Sequence, residues 1–154
     1  MKRLTAAEIA TALSGELYGI DPETPLTAGV VTDSREVGPG DIYVARRGES
    51  FDGIEFAAAA VEAGAALIIG ESVPTLDDEP LPVVVVADAT EALGQLAKHS
   101  IEGLRADGEL TVIAITGSVG KTTVKDLAAD LLAGVAETVW PDRANRPPTQ
   151  AETA

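Results

Sequence analysis

The chain has 154 residues, room for one full domain or for one domain and part of another, since single domains most often run to about 100–150 residues. Its 11 basic and 25 acidic side chains leave a formal charge of −14, a field that repels phosphate backbones and anionic membranes, so neither nucleic acid nor a membrane is an expected partner. The absence of cysteine and the single histidine exclude disulfides, thiolate catalysis and the usual Cys/His zinc sites, while 45% hydrophobic residues with only 3% aromatics call for a core of Ala, Val, Leu and Ile.

"MKRLTAAEIA" places polar Thr5 and Glu8 where a signal peptide needs apolar residues, and no apolar run approaches the ~20 residues of a membrane span. A cytoplasmic chain is expected. Thr5 and Glu8 have the spacing of a capping box, Ile9 and Leu13 share one helical face, and Gly15 is the expected stop. "AGVVTDSR" and "DIYVA" then read as strands on either side of a turn at Pro39–Gly40. "EFAAAAVEAG" reads as a helix capped by Gly64, and "ALIIG" as a buried strand.

The Pro- and acid-rich "ESVPTLDDEPLP" reads as a surface loop, and "VVVVA" beyond it as a central strand. Asp88 and Glu91 suit the start of a helix on which Leu93, Leu96, Ala97, Ile101 and Leu104 form an apolar stripe and His99 is a surface residue. Strands alternate with helices, which predicts an α/β architecture.

"RADGEL", Arg105 to Leu110, is a polar joint and the expected domain boundary. After it the pattern predicts a strand "LTVIAI", a glycine-rich loop, a helix from about Lys121 to Ala133 ended by Gly134, and a strand "VAETVW". The final "PDRANRPPTQAETA" is expected to be a disordered tail. In "TGSVGKTT" the glycines let backbone N–H groups turn inward, Lys121 can reach terminal phosphates, and a hydroxyl after the lysine can ligate magnesium. The loop also joins a buried strand to a helix N-terminus, where an anion is favoured. Ile115 stands where the common phosphate loop has its first glycine, so this loop, beginning at Gly117, is a shortened version.

Short T-G-S/T-x-G-K-T/S loops are the style of the Mur ligases, and "GVVTDSREVGPGDIYVARRGESFDGIEFAAAAVEAGAA" resembles the N-terminal domain shared by the MurE and MurF branches. "DATEALGQLA" and "ITGSVGKTTVKDLAADLL" look most like MurF. This resemblance implies a UDP-substrate domain over residues 1–107, the first strand-loop-helix of a P-loop ATPase domain over 108–140, and a tail over 141–154. It implies an ATP-dependent ligase that joins D-alanyl-D-alanine to UDP-N-acetylmuramoyl tripeptide in peptidoglycan precursor synthesis. ATP and Mg2+ would be held by Gly117, Ser118, Val119, Gly120, Lys121, Thr122 and Thr123, with Lys121 catalytic and Thr122 on the metal. Thr32 and Ser34 would meet the uracil end of the substrate, and Glu49, Ser50 and Phe51 its pyrophosphate and sugar. Asp52 and Gly53 read instead as turn formers, and Ile54 stands where the family usually has His. The expectation is an N-terminal, truncated portion, inactive as a ligase by itself; the alternative is a stand-alone UDP-sugar-binding or regulatory module.

Overall fold

The computed structural model describes residues 4–26, 29–48, 51–108 and 111–132. The chain divides into two compact units, Met1–Leu110 and Thr111–Ala154.

In the first unit, β1 (Leu4–Thr5) leads directly into α1 (Ala6–Ala12). The capping box is formed: Thr5 Oγ1 accepts from the Glu8 amide at 3.2 Å, and the Glu8 carboxylate accepts from the Thr5 amide at 2.8 Å. The helix ends before the expected Gly15, because Ser14 already turns left-handed at φ 52°. Gly15 is required for another reason: a Cβ there would lie 2.6 Å from Val84 Cγ1 and 2.7 Å from the Val85 carbonyl. β2 (Glu16–Tyr18) and β3 (Pro25–Leu26) follow, the latter pairing with β1.

The main elements come next in chain order: β4 (Val30–Val31), β5 (Ile42–Val44), α2 (Ala57–Glu62), β6 (Leu67–Gly70), β7 (Thr75–Leu76), β8 (Glu79–Pro80), β9 (Val83–Val85) and α3 (Ala89–Asp107). A five-stranded sheet has the order β2-β9-β6-β5-β4. All its pairs are parallel except β2 with β9.

Successive side chains of a strand point to opposite faces, and this sheet is buried on both. Ile42, Val44, Leu67, Ile69 and Val84 pack with Ile9 of α1 and Ala89, Ala92 and Leu96 of α3. Tyr43, Ile68 and Val83 pack with Ala57 and Ala60 of α2. The α/β reading is confirmed in this unit.

Several local expectations change. The "AGVVTDSR" strand contracts to two residues, because Asp33 caps a 3-10 turn at Ser34–Glu36. "EFAAAAVEAG" starts as a 3-10 turn, Gly53–Phe56, before α2. The expected loop 71–82 contains the antiparallel hairpin β7–β8. On α3 the buried stripe is Ala89, Ala92 and Leu96, whereas Ala97 is exposed and Leu104 is 44% exposed.

The second unit contains α4 (Lys121–Leu132), close to the expected helix. The expected strand "LTVIAI" is not formed over its described part, Thr111–Ile115. A strand needs a neighbour to take its backbone N–H and C=O groups, and none pairs with it among the described residues. Val112 and Ile113 are accordingly more than half exposed. Ala133, Gly134, "VAETVW" and the tail from Pro141 lie outside the described residues. No described helix is long and apolar enough to cross a membrane.

Candidate functional site

In open parallel sheets, ligands sit beyond the carboxyl ends of the strands. Here those ends are Val31 of β4, Val44 of β5, Gly70 of β6 and Val85 of β9. Thr32 and Ser34 follow β4 at this edge. Asp33 Oδ1 accepts from the Arg35 amide at 3.0 Å and from Arg35 Nε at 2.9 Å, and its second oxygen pairs with the other end of the guanidinium. The Arg35 side chain, and secondarily its amide, hold the Asp33 carboxyl down at about 2. The turn is therefore the Asx-turn with an exposed ion pair that the residue types allow. Within it the Thr32 and Ser34 hydroxyls make no hydrogen bond among the described residues, so both can accept or donate to a ligand.

After β5 the chain forms a tight loop. Arg47 and Asp52 face each other as an isolated antiparallel bridge, the Gly48 amide donates to the Phe51 carbonyl at 2.9 Å, and the Arg47 guanidinium meets the Asp52 carboxylate at 3.0 Å. Phe51 remains 57% exposed beside Gly48. Glu49 and Ser50 lie outside the described residues. Asp52 and Gly53 are turn formers as expected: Asp52 Oδ1 accepts from the Ile54 amide at 3.1 Å. A Cβ on Gly53 would lie 2.7 Å from the Arg46 carbonyl oxygen.

Ile54 packs inward, its Cδ1 only 2.6 Å from where a Cβ on Gly70 would stand. That position serves the core and not a polar contact. Tyr43 lies beneath the loop and donates to the Gly53 carbonyl at 3.0 Å. Burial, and then the nearby Asp33 and Asp52 carboxylates, raise its hydroxyl above the ordinary tyrosine value.

Sequence reasoning missed Arg47 and Glu71. Glu71, just after β6, lies 3.9 Å from Arg47 and accepts from the Ala89 amide at the start of α3, at 3.2 Å. The consecutive arginines 46 and 47 in so acidic a chain were the available signal.

The second candidate is the glycine-rich loop. Gly117 and Gly120 have φ of 154° and 81°, conformations that side chains rarely adopt. Lys121 Nζ curls back and donates to the Gly117 carbonyl. The amide of Val124 reaches the Gly120 carbonyl at 3.0 Å. The earlier amides of α4, on Lys121, Thr122 and Thr123, thus belong to the helix start, which has no intrahelical acceptors. Ser118, Val119, Thr122 and Thr123 are exposed. A lysine over a loop with free amides and two hydroxyls fits the phosphate end of a nucleotide and one magnesium ion. No group of three or more His, Cys, Asp or Glu side chains suited to a metal occurs among the described residues.

His99 lines a surface depression of the first unit with Thr5, Glu8, Thr11 and Glu23.

Comparison with known proteins gives this geometry a context. The sequence profile described as "Mur ligase family, catalytic domain" matches residues 27–101, a span that includes the sheet edge and stops before the glycine-rich loop. The UDP-N-acetylmuramoyl-tripeptide--D-alanyl-D-alanine ligase of Mycobacterium tuberculosis is 38% identical over 92% of this chain and 31% of its own length. Relatives also include ligases that add 2,6-diaminopimelate. A crystal structure of MurF from Acinetobacter baumannii matches with a TM-score of 0.71 and 36% identity, over 89% of this chain and 29% of that one. MurF from Thermotoga maritima, solved in complex with ADP, matches with a TM-score of 0.53 and 34% identity, over 71% of this chain and 24% of that one. The chain thus spans about 30% of the length of the ligases it matches over most of its residues.

Proposed function

This chain belongs to the Mur ligase family, and we propose that it takes part in the ATP-dependent joining of D-alanyl-D-alanine to UDP-N-acetylmuramoyl tripeptide during peptidoglycan precursor synthesis. In this reading residues 1–107 are the UDP-substrate domain and 108–140 open the ATP-binding domain; the reaction takes place in the cytoplasm. The single observation that carries it is the sheet's carboxyl edge, where the Thr32–Ser34 turn and the Arg47–Asp52 loop rise from neighbouring parallel strands.

The uracil end of the substrate rests on the Thr32 backbone and the Ser34 hydroxyl. Pairing of Asp33 with Arg35 supports this, since it occupies the charged neighbours and leaves the hydroxyl available. Glu49, Ser50 and Phe51 serve the pyrophosphate and sugar.

Gly117 to Thr123 hold the ATP phosphates, and Thr122 shares the magnesium. ATP, when bound, supplies the phosphoryl group that activates the tripeptide carboxylate. Lys121 acts electrostatically, exchanging the Gly117 carbonyl for phosphate oxygens and offsetting charge on them.

Titration calorimetry of the chain with UDP-N-acetylmuramoyl tripeptide and with ATP and magnesium, run separately, tests both halves. Ser34→Ala should weaken the first ligand about fivefold, one hydrogen bond's worth at about 1 kcal/mol. Lys121→Ala should abolish ATP binding and leave the first ligand alone. No binding of the tripeptide nucleotide, or unchanged affinity in Ser34→Ala, overturns the uracil assignment. Preference for the UDP-muramoyl dipeptide would move the chain to the diaminopimelate-adding branch.

A further inference from the structure

Asp41 is the one charged side chain buried among the described residues, at 6% exposure. A buried carboxylate is costly unless its oxygens are hydrogen-bonded. Both of these are. Oδ1 accepts from the Gly29 amide at 2.8 Å and Oδ2 from the Gly38 amide at 2.9 Å.

Those two amides are the two ends of one excursion of the chain. From Gly29 it runs through β4, the turn at Thr32–Glu36 and back to Gly38, so a single carboxylate closes the segment 29–38 at its base. The strand ladder itself holds this segment by few bonds. β4 is an edge strand paired with β5 at only Val30↔Ile42 and Val31↔Tyr43, and two-residue pairings are weak by themselves.

The Asp41 backbone reinforces the same closure and is tied to the sheet side through Ala66. Its amide donates to the Gly38 carbonyl at 3.1 Å, its carbonyl accepts from the Ala66 amide at 2.9 Å, and the next amide, of Ile42, donates to the Gly29 carbonyl at 2.9 Å. Both partners are glycines for a steric reason as well: a Cβ on Gly29 would stand 3.1 Å from Oδ1, and one on Gly38 3.3 Å from Oδ2.

We infer that Asp41 is a positioning residue for the uridine end of the substrate: it touches no ligand, and by clamping Gly29 to Gly38 it sets where Thr32 and Ser34 present themselves beyond β4. This rests on the substrate reading above, and deepens it by naming the group that orders the binding turn.

Two measurements on the full chain test it. Asp41→Asn keeps one acceptor oxygen and replaces the other by an NH2 that cannot accept from an amide. UDP-N-acetylmuramoyl tripeptide should then bind about tenfold more weakly, the loss of one charge-assisted hydrogen bond at the base of the turn. The milder Gly38→Ala, which keeps the carboxylate and displaces it, should cost about threefold by the same reasoning and serves if the Asn variant does not fold. Ile9→Val, on the buried face of α1, is the control that lowers stability without loosening the turn.

Amide hydrogen exchange supplies the readout that needs no ligand. Asp41→Asn should speed exchange at Arg35 and Glu36, whose amides bond within the turn, more than at Ile68 and Ile69 of the central strand. Equal acceleration everywhere, or unchanged exchange in the turn, overturns the clamp whether or not the ligand binds. A wild-type chain that ignores the ligand while Asp41→Asn still loosens the turn overturns the substrate reading and leaves the clamp standing.

Discussion

At Asp33 the Arg35 guanidinium, and after it the Arg35 backbone amide, draw the carboxyl from 3.8 down to about 2. A depressed carboxyl favours the charged form in the folded turn, so its contribution is present above pH 3.8 and lost as pH falls through about 2. Both groups face solvent, and an exposed pair of this kind orders its own turn more than it stabilises the molecule. Arg35→Gln should therefore return Asp33 towards the ordinary aspartate value, read by carboxyl-carbon NMR titration. A carboxyl that still titrates near 2 in the variant would assign the shift to the backbone amide. The turn was legible because Asp-Ser-Arg comes one residue after the apolar Val30-Val31 pair. Asp41 was not, since its partners are Gly29 and Gly38, and no spacing rule marks which glycine amides one carboxylate will meet after folding.

The hairpin β7–β8 is the element that sequence patterns concealed. Its two central residues, Asp77 and Asp78, have φ of 51° and 67°, the left-handed pair that Asn-Gly satisfies with least strain. Asp-Asp is a poor match, and with Pro74 and Pro80 nearby the stretch read as a plain loop. The same logic explains β1 and β3, whose two-residue pairing arises from tertiary contact and shows no alternation. It also explains "LTVIAI", where a strand-like composition has no partner among the described residues. Replacing Asp77-Asp78 by Asn-Gly should relieve strain and remove two like charges beside Glu79, raising stability by about 1 kcal/mol. Thermal unfolding would show this as a higher midpoint. An unchanged or lower midpoint would mean that the turn's strain is already offset by contacts of the aspartates.

Across the first unit, one sheet supports both cores and the whole candidate edge, and β6 lies at its centre. Its side chains alternate between the two cores: Leu67 and Ile69 face α1 and α3, and Ile68 faces α2. With 3% aromatics and Met1 as the sole methionine, there are few large or flexible side chains to close a gap left in this aliphatic interior. Ile69, fully buried, is therefore a site where truncation leaves a cavity, and Ile69→Ala should cost about 3 kcal/mol. Leu104→Ala, at a position 44% exposed on α3, should stay within about 0.5 kcal/mol. Urea unfolding followed by far-ultraviolet circular dichroism measures both, as a shift in midpoint at constant slope. Because Ile69 supports the sheet from within and does not hold the 29–38 segment, the surviving folded Ile69→Ala chain should bind UDP-N-acetylmuramoyl tripeptide as wild type does well below its melting range. Affinity that falls in step with stability would show that the edge depends on the packing of the whole sheet, and equal midpoints for the two variants would overturn the cavity cost assigned to Ile69.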